Sequence, residues 1–202
     1  MFKTSHRVIL ENLLKSHLPE LQGDTLDIGS KNRRYDSLLR QRPIAMDIEP
    51  DSVNHVIPGD IQSIPFPDER FDNVMAIEVL EYVANPNQAM NEVRRILKKN
   101  GILILSIPFL CPVHGDFARY TRKYIEKYLL ADFTSYKITA IGNPYTIIAD
   151  IVRNGTIRID NAFLRWIFLP VYLPFLLLAT LMRSRSDQTG KYISGYFIIA
   201  RK

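Results

Sequence analysis

The chain has 202 residues and a single cysteine, Cys111. That length suits one domain burying about 70% of its unfolded surface, and one cysteine excludes an internal disulfide framework and any multi-cysteine metal site. Twenty-six Lys and Arg against twenty-one Asp and Glu give a net charge of +5, too modest to indicate nucleic acid without a basic stripe carrying interleaved aromatics.

The first stretch, MFKTSHRVILENLLKSHL, has Glu11 and Lys15 breaking up its apolar residues, so an amphipathic leading helix is expected in place of a signal-peptide core. A reducing compartment, by default the cytoplasm, fits the cysteine usage. Short apolar runs then alternate with helical patterns. Strands are expected at Thr25 to Ile28, Pro43 to Ile48, Val53 to Ile57, Phe71 to Ile77 and Ile102 to Ile107, several nearly all apolar, as strands covered on both faces should be. The clearest helix follows Asn85-Pro86, where Ala89, Met90, Val93, Ile96 and Leu97 share a face and Lys98 to Gly101 supply a basic last turn and a stop. A further helix starts after Thr121, a suitable N-cap, and runs to about Asp132; Ser135 to Ile141 reads as a strand. Regular alternation stops after Asn143-Pro144 and resumes at Tyr192, where YISGYFIIARK reads as a final strand. Helix followed at once by strand is half of a βαβ unit, so the pattern implies an α/β fold with a doubly wound, mostly parallel sheet. No internal repeat or low-complexity tract is present.

Ligands of such sheets bind beyond the carboxyl ends of the strands. There the chain places Asp27-Ile28-Gly29, Asp47-Ile48-Glu49, Gly59-Asp60-Ile61 and Glu78-Val79-Leu80-Glu81. A carboxylate in an apolar cleft costs several kcal/mol unless something satisfies it, and a polyhydroxylated or cationic ligand would do so. Taken singly, Gly29 is also consistent with a tight turn, Asp47 or Asp60 with a solvated strand end, and Glu78 and Glu81 with helix-start carboxylates.

In order and spacing, these pieces resemble the class I S-adenosylmethionine-dependent methyltransferases, in particular the methyltransferase type 11-like branch. That branch pairs a VLDIG-type first motif with "D…LPFPDxxFDxVxxxEVLEHV" and "RRxLKPGGxLxxSxPF". The chain reads LDIGSKNRRY at 26 to 35, GDIQSIPFPDERFDNVMAIEVLEYV at 59 to 83 and RRILKKNGILILSIPF at 94 to 109. The resemblance covers roughly residues 24 to 142. It implies a Rossmann-like seven-stranded sheet with the last strand antiparallel, and S-adenosylmethionine as cofactor. Asp27 and Gly29 would form the turn beside its methionine part, with Gly29 allowing close backbone approach. Asp47 would accept from the ribose hydroxyls and Ile48 would pack on the adenine. Asp60 would take the adenine amino group with the Ile61 backbone beside it, and Ile77 and Glu78 would line the wall near the sulfonium. Two positions depart from the pattern. Lys31 stands where a second glycine is common, and Tyr82 replaces the histidine of "EVLEH", which removes a possible acid-base group.

Methyl transfer from a sulfonium is an in-line displacement served largely by positioning, and only a protonated nucleophile asks for a base. After the fifth strand comes PFLCPVHGDFARYTRKYIEKYLL, and related sequences often read "H…DFxRYT" here. His114 is the candidate general base, Arg119 suits an acidic acceptor group, and Tyr120 completes the candidate catalytic set. The bland reading pairs Arg119 with Asp116 to fix the loop.

Trp166 to Met182 is a run of seventeen residues without a charge, flanked by Arg165, Arg183 and Arg185. It sits at the lower edge of a transmembrane length, but the final strand must return to the same sheet, and Pro170 and Pro174 interrupt the helix. An apolar helical insertion over 144 to 190 within a single domain is therefore expected. Its segment 163 to 182 would contact the periphery of a membrane's inner face, a homodimer partner, or the acceptor pocket as a lid. The sequence thus leads to an enzyme methylating a small or lipid-linked acceptor, with a catalytically silent cofactor-binding or membrane-associated module as the alternative. A nicotinamide oxidoreductase lacks support because positions 31 and 34 are Lys and Arg, leaving a pyrophosphate no cradle.

Overall fold

The computed structural model of the chain describes residues 3–110, 116–157, 170, 173–174, 177–178, 181 and 192–202. Seven strands form one sheet: β1 Thr25–Ile28, β2 Ile44–Asp47, β3 Val56–Pro58, β4 Phe71–Ile77, β5 Leu97–Pro108, β6 Ser135–Ile141 and β7 Gly195–Arg201. Their order is β3-β2-β1-β4-β5-β7-β6. All neighbours are parallel except those of β7, which runs antiparallel to both β5 and β6, as the sequence led one to expect. The chain steps outward from β1 to β3, then returns past β1 to start β4, so the direction of winding reverses between β1 and β4. The carboxyl edge there is where an open α/β sheet receives its ligand.

Side-chain alternation divides the core into two layers. In β4, Val74 and Ala76 enter one cluster while Met75 and Ile77 face the other; in β7, Ile198 and Ala200 oppose Phe197 and Ile199. A period of two with both faces buried explains the near-continuous apolar runs. The first layer is closed by α2 (Pro86–Ile96) and by α3 (Arg122–Tyr124) with the π-helical turn Ile125–Leu129 that continues it. Leu10, Leu14 and Leu18 of α1 (Ser5–His17) and its C-cap close the second, and α4 (Pro144–Ile157) packs beside α1.

Local chemistry moves several expected boundaries. Expected at Pro43 to Ile48, β2 is confined to Ile44–Asp47. The β3 strand starts at Val56 and not Val53, because the Asp51 carboxylate accepts from the Val53 and Asn54 amides at 3.0 and 3.1 Å and ties these residues into a turn. Lys98 to Gly101 do not end α2 as a basic turn but belong to β5. Lys98 donates to both oxygens of Asp72 at 2.9 Å, and Asn100 takes a left-handed φ of 63°, so the segment bulges against the start of β4. The helix after Thr121 ends by Leu129, short of Asp132, where the Leu130 amide reaches the Ile125 carbonyl at 2.9 Å in an i to i+5 bond.

Pro144–Ile157, the first part of the expected apolar helical insertion, is a helix. Asn143 accepts from the Thr146 amide at 3.0 Å and its own amide donates to the Thr146 hydroxyl at 2.8 Å, a reciprocal cap with proline at the first helical position. His114 and most of the segment 163 to 182 lie outside the described residues. Among the described residues no helix is long and apolar enough to cross a membrane.

Candidate functional site

Four strand ends converge on the carboxyl edge. The Gly29 amide donates to the Met46 carbonyl at 2.8 Å, the Gly59 amide to the Asp47 carbonyl at 3.0 Å, and the Glu78 amide to the Ser106 carbonyl at 3.1 Å. These bonds extend the parallel ladders by one residue and bring the turns after β1, β2, β3 and β4 side by side.

At the first turn, Gly29 has φ 72°, and a Cβ there would stand 2.4 Å from Val79 Cγ2. Both the left-handed conformation and the packed valine demand glycine. The close approach that the sequence pattern assigned to a ligand is thus also made by the chain's own β4 turn. Asp27, just before it, is 3% exposed and its Oδ2 has no hydrogen-bond partner. Burial pushes its pKa well up, Asp36 and Asp47 adding to the rise and Arg33 opposing it.

Asp47 is held by two backbone amides, Lys31 N at 3.0 Å to Oδ2 and Glu49 N at 2.9 Å to Oδ1. The first contact ties the glycine turn to the end of β2, and it uses the backbone at position 31. The Lys31 side chain instead pairs with Glu49, both of them largely in water. Position 31 therefore serves the site through its amide while its ammonium lies at the rim. Ile48 is 75% exposed, an apolar platform next to a carboxylate. Asp60 is exposed and accepts from the Gln62 amide at 2.8 Å, while Ile61 points into the core at 4% exposure, so only the backbone of residue 61 faces the edge.

At the end of β4, Ile77 packs against the second layer. Glu78 takes a left-handed φ of 57°, unusual for a residue with a Cβ. Its Oε1 accepts from His6 Nε2 at 2.7 Å and its Oε2 from Arg7 at 3.2 Å. Burial alone would raise its pKa, but the His6 hydrogen bond and the charges of His6, Arg7 and Arg119 hold the carboxyl below its usual value. His6 and Arg7 are site residues that the sequence reading passed over. The available signal was a titratable His6 on the same helix face as Leu10 and Leu14.

The segment entering α3 folds over the β4 turn. The Phe117 amide donates to the Glu81 carbonyl at 2.7 Å, and Arg119 pairs with Asp116, the arrangement of the bland reading. Of the candidate catalytic residues, Tyr120 is 4% exposed and its hydroxyl donates to the Leu80 carbonyl at 3.1 Å. Burial pushes that phenol up to about 12, and its hydrogen bond braces the turn after β4. His114 lies outside the described residues. Glu81, absent from the candidate set, is 2% exposed with its Oε2 unpartnered.

A glycine cradle, a strand-end carboxylate, an exposed apolar platform and a seven-stranded sheet with β7 reversed define the class I, Rossmann-like methyltransferase architecture. Residues 26–105 match the methyltransferase domain family.

Over 100 residues the chain is 30% identical to 2-methyl-6-phytyl-1,4-hydroquinone methyltransferase 1, chloroplastic, of Oryza sativa, covering 44% of this chain and 29% of the relative. It is 32% identical over 101 residues to an uncharacterised protein of Methanocaldococcus jannaschii, covering 46% and 48%. The chain thus spans less than half the length of these curated relatives. Among solved structures, a S-adenosylmethionine-dependent methyltransferase of Thermotoga maritima superposes with TM-score 0.60 at 17% identity over 98% of this chain and 91% of that one. Phosphoethanolamine N-methyltransferase 2 of Haemonchus contortus, in complex with S-adenosyl-L-methionine, gives TM-score 0.58 at 13% identity over 98% and 52%. At these identities the structural likeness bears on the fold.

Proposed function

We propose that the chain binds S-adenosylmethionine at the β1, β2 and β4 ends and transfers its methyl group to a small or lipid-linked acceptor. The observation that carries this reading is the bond from the Lys31 amide to Asp47. It fixes the glycine turn against a carboxylate whose remaining lone pairs suit two vicinal hydroxyls, at about 1.5–3 kcal/mol for each hydrogen bond to a charged group. Asp47 then takes the ribose, exposed Ile48 the adenine face, and Asp60 with the Ile61 backbone the adenine edge. Asp27, Gly29, Ile77 and Glu78 surround the methionine part. The unpartnered Asp27 Oδ2 fits a ligand with a polar, amine-bearing tail. The bound cofactor supplies an electrophilic methyl group. The chain's part is to align it, with Arg119 near an acidic acceptor group and His114 as the base for a protonated one.

An amphiphilic acceptor is favoured by two features. The rice relative is named for a phytyl-bearing hydroquinone, and the described part of the apolar segment exposes Leu173, Leu177 and Leu181, a surface suited to the periphery of a membrane. Calorimetric titration with S-adenosylhomocysteine tests the cofactor site. Wild-type chain should bind it, and Asp47→Ala, checked for an intact melting transition, should bind about tenfold more weakly or worse; equal affinities would remove Asp47 from the site. Labelled cofactor incubated with lipid extracts then tests the acceptor class.

A further inference from the structure

We propose that Arg7 of α1 and the hydroxyl of Tyr35 form the subsite that takes the α-carboxylate of the cofactor's methionine part. The assignment rests on the functional reading above, which surrounds the methionine part with acidic side chains and leaves its carboxylate without a partner.

One half of the subsite is a hydroxyl that the fold itself does not use. Tyr35, in the segment after the glycine turn, is 7% exposed and its hydroxyl has no hydrogen-bond partner. The ring belongs to the second layer with Leu10 and Leu14, and the Arg7 guanidinium stands over it, 5.8 Å from the centroid. Phenylalanine would supply the same packing without desolvating a polar group. Buried hydroxyls of folded proteins find partners as a rule, so this one calls for a partner from outside the chain. Burial pushes the phenol up to about 12, with Arg7 opposing the rise and Glu78 and Glu11 adding to it. The group is therefore a neutral donor near pH 7, next to the Arg7–Glu78 pair.

The other half is a guanidinium with donors to spare. Five N–H groups in a planar fork suit a carboxylate. Arg7 Nη1 donates to Glu78 Oε2 at 3.2 Å, and Nε stands 3.5 Å from Glu11 Oε1. Lys3 already donates to both oxygens of Glu11, at 2.9 and 2.6 Å, so Glu11 does not spend the Arg7 charge. Other cations near the carboxyl edge are committed elsewhere. Arg33 donates to Asp36, Pro43 and His55, Lys31 pairs with Glu49, and Arg119 pairs with Asp116.

Position completes the argument. Tyr35 follows the turn after β1, and Glu78, which Arg7 grips, follows β4; these are the neighbouring strands between which the winding reverses. Asp27 and Glu78 offer negative charge there for an ammonium. Arg7 and the Tyr35 proton offer the complement for a carboxylate, so the two sets together match an α-amino acid.

Calorimetric titration of S-adenosylhomocysteine against its decarboxylated analogue, which keeps the amino group and lacks only the carboxylate, tests the subsite. Wild type should bind the analogue at least tenfold more weakly. Tyr35→Phe keeps the ring and its packing, and should weaken S-adenosylhomocysteine about tenfold while changing the analogue less than twofold. Arg7→Gln should narrow the gap between the two ligands in the same way, with a melting transition checking the fold of each variant. A gap that survives either substitution overturns the proposal, because a residue that only packs or braces α1 would affect both ligands alike. Equal binding of the two ligands by wild type also overturns it and leaves the cofactor reading standing. Wild type that binds neither ligand removes the cofactor reading and this subsite with it.

Discussion

Glu81 shows how one residue can record the environment of the whole carboxyl edge. Burial pushes its pKa up to about 8, its own backbone bond opposes the rise, and the charges of Glu78 and Asp116 add to it against Arg119. The folded value lies above the unfolded one, so the stability tied to the neutral form is fully present below the ordinary carboxyl range and is lost as pH climbs through 8. Across that window the unfolded chain has released the proton and the folded chain has kept it. Urea unfolding of wild type and Glu81→Gln at about pH 5 and about pH 8.5 should show the wild type losing on the order of 3 kcal/mol relative to the variant between the two. A constant difference would mean that Glu81 titrates like a solvated carboxyl. Sequence spacing placed Glu81 at the strand end, but not its burial. That burial comes from residues 117 and 118, whose amides donate to its carbonyl at 2.7 and 3.4 Å and bring their segment over it.

At the scale of elements, α1 depends on a cap supplied by another helix. Thr4 accepts from the Arg7 amide at 3.2 Å, but the first two helical amides are taken by Asp150 of α4. Asp150→Ala should therefore destabilise the chain by about 1–2 kcal/mol and speed hydrogen exchange at the first turn of α1 more than in β4; uniform exchange would show that the cap is not local. Such long-range caps are one reason the sequence reveals helices better than their junctions. The strands β1, β4 and β6 could be read to their observed ends, because short strand-forming runs bounded by polar turns have few alternatives. The bounds of α4 within the expected helical insertion escaped notice although Asn143-Pro144 repeats the Asn85-Pro86 start of α2, whose asparagine likewise caps, at 3.2 Å to the Gln88 amide. In α4 the exposed Tyr145, Ile148 and Ile151 blur the amphipathic contrast that makes α2 plain. Strand-end carboxylates could be listed from spacing alone, whereas the contacts of His6 join residues 72 and 188 positions apart and have no local signature.

For the whole molecule, the question is how a domain with polar strand ends would meet an amphiphilic acceptor. Leu173, Leu177 and Leu181 fall at i, i+4 and i+8 and are 55%, 62% and 69% exposed, a stripe on one helical face. In sequence the uncharged run around them is bounded by Arg165, Arg183 and Arg185. Fully burying a leucine contributes about 1.5–3 kcal/mol, and each basic residue near an anionic surface about 1 kcal/mol. Contacts of this kind would act together in reversible attachment without a membrane-spanning helix. The intact chain should sediment with vesicles containing an anionic phospholipid, less so with neutral vesicles and less so at high salt. Replacing Leu173, Leu177 and Leu181 together by Ser should lower the bound fraction about tenfold or more while S-adenosylhomocysteine affinity stays unchanged, because Asp47 and Glu78 lie on the sheet edge and not on this segment. Equal sedimentation of variant and wild type would remove the stripe from membrane contact. A wild-type dimer in light scattering that the same substitutions dissociate would assign the leucines to a second copy of the chain.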